Sequence, residues 1–176
     1  MNLRLKRTPG LYIVGFMAAG KTTVGRLLAH RLGWNFFDTD EEIEAAERTA
    51  ISELFRTRGE NEFRRIESAM IRQHVDWIGH GRPTVLALGG GAFCGVENRA
   101  LLLDNGIAVW LDCPFEVVER RVGQTSHRPL ARNPESFAGL YEARRETYSA
   151  ADIRIAIESD DPAVTVEAIL THPLLR

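Results

Sequence analysis

The chain has 176 residues, 44% of them hydrophobic and 26% charged, with a formal net charge of −2. A chain of that length is expected to form one domain that buries about 70% of its unfolded surface. The near-neutral balance argues against a broad electrostatic pull toward nucleic acid or a membrane surface. Two cysteines, Cys94 and Cys113, form no spaced motif, the five histidines (30, 74, 80, 127, 172) have no zinc spacing, and no 18-residue apolar run occurs. A disulfide framework, a histidine–metal site and a membrane span are therefore not expected, and the composition fits a soluble cytoplasmic protein.

In chain order, Leu11-Tyr12-Ile13-Val14 is a short apolar run that reads as a buried strand. Gly15-Phe16-Met17-Ala18-Ala19-Gly20-Lys21-Thr22 follows and fits G-x-x-x-x-G-K-[ST], a phosphate-binding loop. Gly15 and Gly20 allow a tight turn close to an anion, and successive backbone N–H groups cradle phosphate oxygens. Lys21 brings positive charge to the β/γ-phosphates, and the Thr22 hydroxyl is a ligand for Mg²⁺. Beyond the loop, Val24, Leu27, Leu28 and Leu32 recur at helical spacing. The order strand, glycine loop, helix places a helix N-terminus against the phosphates.

Further β-rich runs lie at Phe36-Phe37, 84–88, 107–111 and 153–157, with helical patterns between them. This alternation argues for an α/β fold, a three-layer sandwich with a central five-stranded parallel sheet covered on both faces. In such sheets ligands sit beyond the carboxyl ends of the strands. Asp38-Thr39-Asp40 follows the second run. Asp38 suits a magnesium-bound water, and Asp40, on the same side of an extended segment, suits a base that accepts a hydroxyl proton. The competing reading is helix capping, with Thr39 and Glu42 as a T-x-x-E box that leaves Asp38 unused.

The stretch from Gly59 to Ile78 reads as a helix with Phe63, Ile66 and Met70 as its apolar stripe. Glu60, Arg64 and Glu67 fall on another stripe, either a solvated salt-bridge row or acids that orient an arginine fork for a substrate carboxylate. Gly89-Gly90-Gly91 follows the third run and suits close approach of backbone to a ligand, or a plain turn. No Asp closes that strand, which moves a magnesium role toward Asp38. Arg121 ends a helical stretch and either stacks on a purine or caps the helix. Residues 123–134 are the least regular part of the chain and read as a mobile lid carrying Arg128 toward the transferred phosphoryl group, or as a surface loop. Arg144 and Arg145 lie on the helix beyond, and either can face the cleft.

Over about residues 10 to 170 the chain resembles shikimate kinases, in the nucleoside-monophosphate-kinase-like branch of phosphate-loop kinases. The resemblance rests on the loop just described, Asp38-x-Asp40, Gly59-Glu60-x-x-Phe63-Arg64-x-x-Glu67, Gly89-Gly90-Gly91 and Arg128-Pro129-Leu130. It implies a single domain over 1–176 and ATP-dependent phosphorylation of the 3-hydroxyl of shikimate, a step toward chorismate and aromatic amino acids. It implies Asp40, Lys21 and Arg128 as catalytic residues, and Gly15, Ala18, Ala19, Gly20, Lys21, Thr22, Thr23, Arg121 and Arg128 as the ATP site. Asp40, Arg64, Glu67, Gly89, Gly90, Gly91 and Arg144 would hold shikimate, with Thr22 and Asp38 serving Mg²⁺. The working unit implied is a monomer with small-molecule partners, ATP and shikimate, and neither nucleic acid nor membrane. Ala18 stands where many members carry Gly, so its Cβ is expected to crowd the loop slightly, and Arg145 stays open as the alternative to Arg144. A related kinase acting on gluconate, or a nucleotide-binding regulatory module without turnover, are the competing functions. Retention of Asp40 and Lys21 weighs against the second.

Overall fold

The computed structural model describes residues 10–123 and 134–175. Five strands, β1 (Gly10–Val14), β2 (Asn35–Asp38), β3 (Thr84–Ala87), β4 (Ile107–Asp112) and β5 (Ile153–Ala156), form one sheet in the order β2-β3-β1-β4-β5. All four pairings are parallel. The central strand β1 is buried along its whole length, which is why its sequence is continuously apolar rather than alternating.

Helices connect the strands: α1 (Lys21–Leu32), α2 (Thr39–Glu47), α3 (Ile51–Gly79), α4 (Val96–Asn105), α5 (Phe115–Gly123), α6 (Pro134–Tyr148) and α7 (Pro162–Leu170). Strand alternation assigns them to two faces. Leu11 is in register with Val85, and Val85 faces α1, where a Cβ on Gly25 would lie 3.6 Å from its Cγ1. Tyr12 and its partner Leu86 point the other way, and the Tyr12 hydroxyl donates to the Asn105 carbonyl at the end of α4. Against α4 lies α3, while α7 packs against α1. Both faces are thus covered, as a parallel sheet requires.

The helix read over 59–78 is longer than expected and is broken at one point. It runs from Ile51 to Gly79, with Gly59 at φ 82° and ψ 169° interrupting the helical backbone. Glycine reaches that φ without the steric cost of a Cβ, so Gly59 turns the chain and Glu60 begins the segment that carries Arg64 and Glu67. A second apolar cluster, Ile43, Leu54 and Phe63, fastens α2 to both parts of α3 apart from the main core. The proposed lid over 123–134, with Arg128, lies outside the described residues save for its two ends in α5 and α6.

Candidate active site

The carboxyl ends of β1, β2 and β3 converge on the loop between β1 and α1. Gly15 and Gly20 take φ of 149° and 92°. Ala18 is left-handed too, at φ 60°, a region that costs an L-residue about 1–2 kcal/mol. The penalty that the structure shows for this alanine is therefore torsional. Lys21 Nζ donates to the Phe16 carbonyl at 2.9 Å, folding back over the loop. Thr22 Oγ1 donates to Asp38 Oδ2 at 2.6 Å. A cavity of about 260 Å³ opens here, lined by Ala18, Gly20, Lys21, Thr22, Thr23, Asp38, Asp40 and Gly90 among others.

The capping reading of 38–42 is corrected by the geometry. Asp38, not Thr39, is the N-cap of α2, its Oδ1 accepting from the N–H groups of Asp40 at 2.9 Å and Glu41 at 3.3 Å. Its two oxygens divide the work, one capping the helix and one facing Thr22. Thr39 instead accepts from Gly89 N at 3.0 Å, tying the start of α2 to the triple glycine. Glu42 reaches the buried His74 of α3 rather than its own helix end. A T-x-x-E spacing signals a box only when Thr takes the cap position, and here the helix starts one residue earlier, with Asp38 as cap and Thr39 as its first residue.

Asp40 projects from the first turn of α2. Burial raises its carboxyl above its ordinary pKa, the neighbouring Asp38 charge adds to this, and Lys21 opposes it. Glu67 is raised mainly by burial and lowered by Arg64. Arg64 Nη1 donates to Glu67 Oε2 at 2.7 Å, and Arg64 Nε lies 3.6 Å from Glu60. The Glu67 side chain is 1% exposed, so the row is not merely solvated. Its other oxygen, Oε1, is buried with no hydrogen-bond partner among the described residues.

Gly89, Gly90 and Gly91 make room for these side chains. A Cβ on Gly89 would lie 2.5 Å from Asp40 Oδ1 and 2.9 Å from Glu67 Oε1. On Gly90 it would stand 3.0 Å from Arg144 Nη1, and on Gly91 2.2 Å from Arg64 Nη2. Arg144 thus faces the cleft, its guanidinium 5.7 Å above the Phe16 ring. Arg145 does not: it pairs with Asp112 at 3.1 Å and lies against Trp110. Together Asp40, Arg64, Glu67, Arg144 and the three glycines line a cavity of about 460 Å³, with Met17, Ile51, Phe55 and Phe63 as its apolar wall. The Tyr148 hydroxyl, unassigned from sequence, donates to the Gly90 carbonyl.

On the far side of the loop, Arg121 lines a third cavity of about 310 Å³ with Ala18, Ala19, Gly20, Thr23, Val24 and Pro162. Its guanidinium donates to the Ala18 carbonyl at 2.9 Å and to Asp160 at 2.7 Å. Asp160 carried no sequence signal, because an exposed acid after an edge strand is ordinary. Shared lining residues join the three cavities into one trough. Ala18, Gly20 and Thr23 belong to the first and third, and Met17, Asp40 and Gly90 to the first and second.

Comparison with known proteins points to one family. The family model described as shikimate kinase matches residues 17–172. A shikimate kinase of Novosphingobium aromaticivorans is 44% identical over 166 residues, 91% of this chain and 84% of the relative. One of Persephonella marina is 40% identical over 161 residues, 91% of this chain and 96% of the relative. The solved shikimate kinase of Acinetobacter baumannii in complex with shikimate superposes with a TM-score of 0.84 at 34% identity, covering 92% of this chain and 90% of that one. A Sinorhizobium meliloti gluconokinase, 15% identical with a TM-score of 0.51, shares the fold alone. The family model spans most of the chain and the relatives are matched over most of their length, so the chain belongs to the shikimate kinase family.

Proposed function

We propose that this chain transfers the γ-phosphoryl group of ATP to the 3-hydroxyl of shikimate, with the base in the cavity beside Arg121, the phosphates over the loop and shikimate between α2, α3 and the triple glycine. The observation that carries the assignment of roles is that Asp40 lines both the phosphate cavity and the arginine-lined cavity. A base must reach the hydroxyl as it meets the phosphoryl group, and no other carboxylate among the described residues lines both. A pKa raised by burial brings Asp40 nearer the operating pH, which favours proton transfer.

Arg64 and Arg144 supply guanidinium groups for the shikimate carboxylate, and a planar fork takes a carboxylate through two parallel hydrogen bonds. The unpartnered Glu67 Oε1 suits a ring hydroxyl as donor. The apolar wall of Met17, Ile51, Phe55 and Phe63 suits the faces of a ring better than an open-chain polyol such as gluconate. Lys21 neutralises phosphate charge, the backbone of 15–20 cradles it, and Arg128 takes the transferring group.

Oxygen donors at Thr22 and Asp38 fit Mg²⁺, which is held by few protein oxygens and completed by phosphates and water. Bound there, the ion would offset charge on the β- and γ-phosphate oxygens. The working unit we propose is the monomer. No helix among the described residues is long and apolar enough to cross a membrane, and we place the reaction in the cytoplasm.

ADP release measured with ATP and either shikimate or gluconate tests the substrate. Turnover with shikimate that Lys21→Ala abolishes is the expected result. Turnover with gluconate alone would overturn the assignment.

A further inference from the structure

The Arg121 guanidinium is held by acceptors that include the phosphate loop, Cys113 Sγ at 3.8 Å and Asp160. Nη1 donates to the Ala18 carbonyl and Nη2 to Asp160 Oδ1 at 2.7 Å. Arg120 Nη2 reaches the same carboxylate at 2.9 Å. Asp160 itself sits on a short turn between β5 and α7 that is fastened locally. Asp161 N donates to Ser159 Oγ at 3.1 Å, and Asp161 Oδ1 caps α7 by accepting from Ala163 N at 2.9 Å. The acceptor that Arg121 meets is therefore part of a fixed turn, although the Asp160 side chain is 67% exposed.

We propose that Asp160 is a positioning residue for the nucleotide: by holding Arg121 edge-on against the phosphate loop, it fixes the plane of the guanidinium whose face covers the purine. This rests on the reading above that the cavity beside Arg121 takes the base. An arginine side chain carries considerable rotamer freedom, its planar group stacks on aromatic rings, and hydrogen bonds made by its donors beforehand reduce the freedom lost on stacking. Hydrogen bonds to Ala18, Cys113 and Asp160 restrain the guanidinium at the wall of the cavity that Arg121 lines. Ala18 is also the loop residue in the left-handed region, so the same contact joins the base cavity to the phosphate loop.

The sign of the effect separates this from a charge effect. Asp160 is an acid on the rim of a site for a polyanion. As a mere source of field it would oppose binding, and its removal would tighten ADP and any polyphosphate alike. As a positioning residue its removal weakens ADP, because Arg121 must be ordered during binding, and leaves a ligand without a base unaffected.

The test is calorimetric titration of the full chain with ADP and, separately, with inorganic tripolyphosphate. The wild type is compared with Asp160→Ala, Arg121→Ala, the double variant and Arg120→Ala. Ordering one rotamer-rich side chain on binding corresponds to roughly 3- to 10-fold in affinity. The expected result is ADP binding weakened by that factor in Asp160→Ala, with tripolyphosphate unchanged and Arg120→Ala within twofold of wild type. In the Arg121→Ala background the Asp160 substitution should add nothing, an outcome a purely structural role does not produce. Tightened binding of both ligands, equal weakening of both, or unchanged ADP affinity would each overturn the proposal. Wild-type protein that binds tripolyphosphate but not ADP would instead overturn the reading of the cavity as a base site.

Discussion

Gly91→Ala separates the arginine clamp from the stability of the fold. Gly91 has φ −96° and ψ −11°, which an alanine adopts without strain, so the backbone accepts the change. The added Cβ, however, would lie 2.2 Å from Arg64 Nη2 and 2.7 Å from both Cζ and Nη1. Either the loop or the guanidinium must move by about an ångström or more to reach ordinary contact distance. The loop is pinned: Gly89 N donates to Thr39 at 3.0 Å, Ala92 N to the Gly89 carbonyl at 3.0 Å, and Tyr148 to the Gly90 carbonyl. The guanidinium is the end of a flexible chain, 31% exposed, and it yields.

Arg64 then no longer presents its fork to the cleft. A hydrogen bond to a charged group contributes about 1.5–3 kcal/mol, so kcat/KM for shikimate should fall roughly 10- to 150-fold. The ATP cavities lie on the other side of Asp40, and KM for ATP should stay within about twofold. Gly-to-Ala substitution at a compatible φ/ψ stabilises by about 0.4–1 kcal/mol through the unfolded chain, so the melting temperature should not fall by more than a few degrees. Arg64→Lys keeps the charge without the fork and should show the same kinetics. Combining the two changes should cost little more than either alone, because both remove one interaction. Steady-state titration of shikimate and ATP separately, with thermal unfolding alongside, decides the matter. Wild-type shikimate kinetics in Gly91→Ala would refute the clamp.

Asp38→Asn keeps an acceptor at the N-cap, where Asn and Asp are equivalent, and removes the charge beside Thr22; thermal unfolding should be nearly unchanged while the magnesium concentration needed for half-maximal activity rises, and equal loss of both would argue for a capping role alone. Asp40 has a raised pKa in the folded state, so its contribution to stability is present below the unfolded-state value and lost as pH rises through the folded one. Asp40→Asn, which does not titrate, should therefore gain stability over wild type as pH increases across that window, while its kcat falls by roughly 10²–10⁴; a pH-independent difference in unfolding free energy would count against a buried, shifted carboxyl. Ala18→Gly should stabilise the protein by about 1 kcal/mol, the left-handed penalty less the entropy cost of glycine, measured by urea unfolding, and a destabilised variant would show that the alanine methyl contributes packing worth more than the strain.

Periodicity and punctuation made most of the fold legible. Continuous apolar runs marked the inner strands, because a strand covered on both faces has no polar side to show. The phosphate loop was legible because Gly, Lys and Thr each have a role in it that few other residues can fill. The lengths of helices were less so. Nothing local in Ile51–Arg58 distinguishes a helix that continues through a glycine kink from a loop before one, and the Ile43, Leu54 and Phe63 cluster that holds it is a tertiary fact. Arg144 and Arg145 could not be separated in sequence, being adjacent on one helix. Asp112, at the end of β4, separates them by drawing Arg145 to itself and to Trp110.

The triple glycine shows where one-dimensional reading stops short. Three glycines after a strand signal close approach, and sequence points to a ligand as what approaches. In the structure the approaching groups include the protein's own Asp40, Glu67, Arg144 and Arg64, stacked against residues 89–91. These side chains come from α2, α3 and α6, which are distant in sequence and meet only because β2, β3 and β1 are neighbours. Two acids and two arginines brought so close and partly buried would be costly unless their charges offset one another. The Arg64–Glu67 pair does so directly, while Asp40 and Glu67 are left with raised pKa values and Glu67 Oε1 with no partner among the described residues. The residual imbalance falls on carboxylates that line the cavity of about 460 Å³, where, in the function we propose, the hydroxyls of shikimate would supply the missing donors. The glycines thus act through the side chains they admit, and a Cβ at any of the three positions would perturb the site before it perturbed the fold.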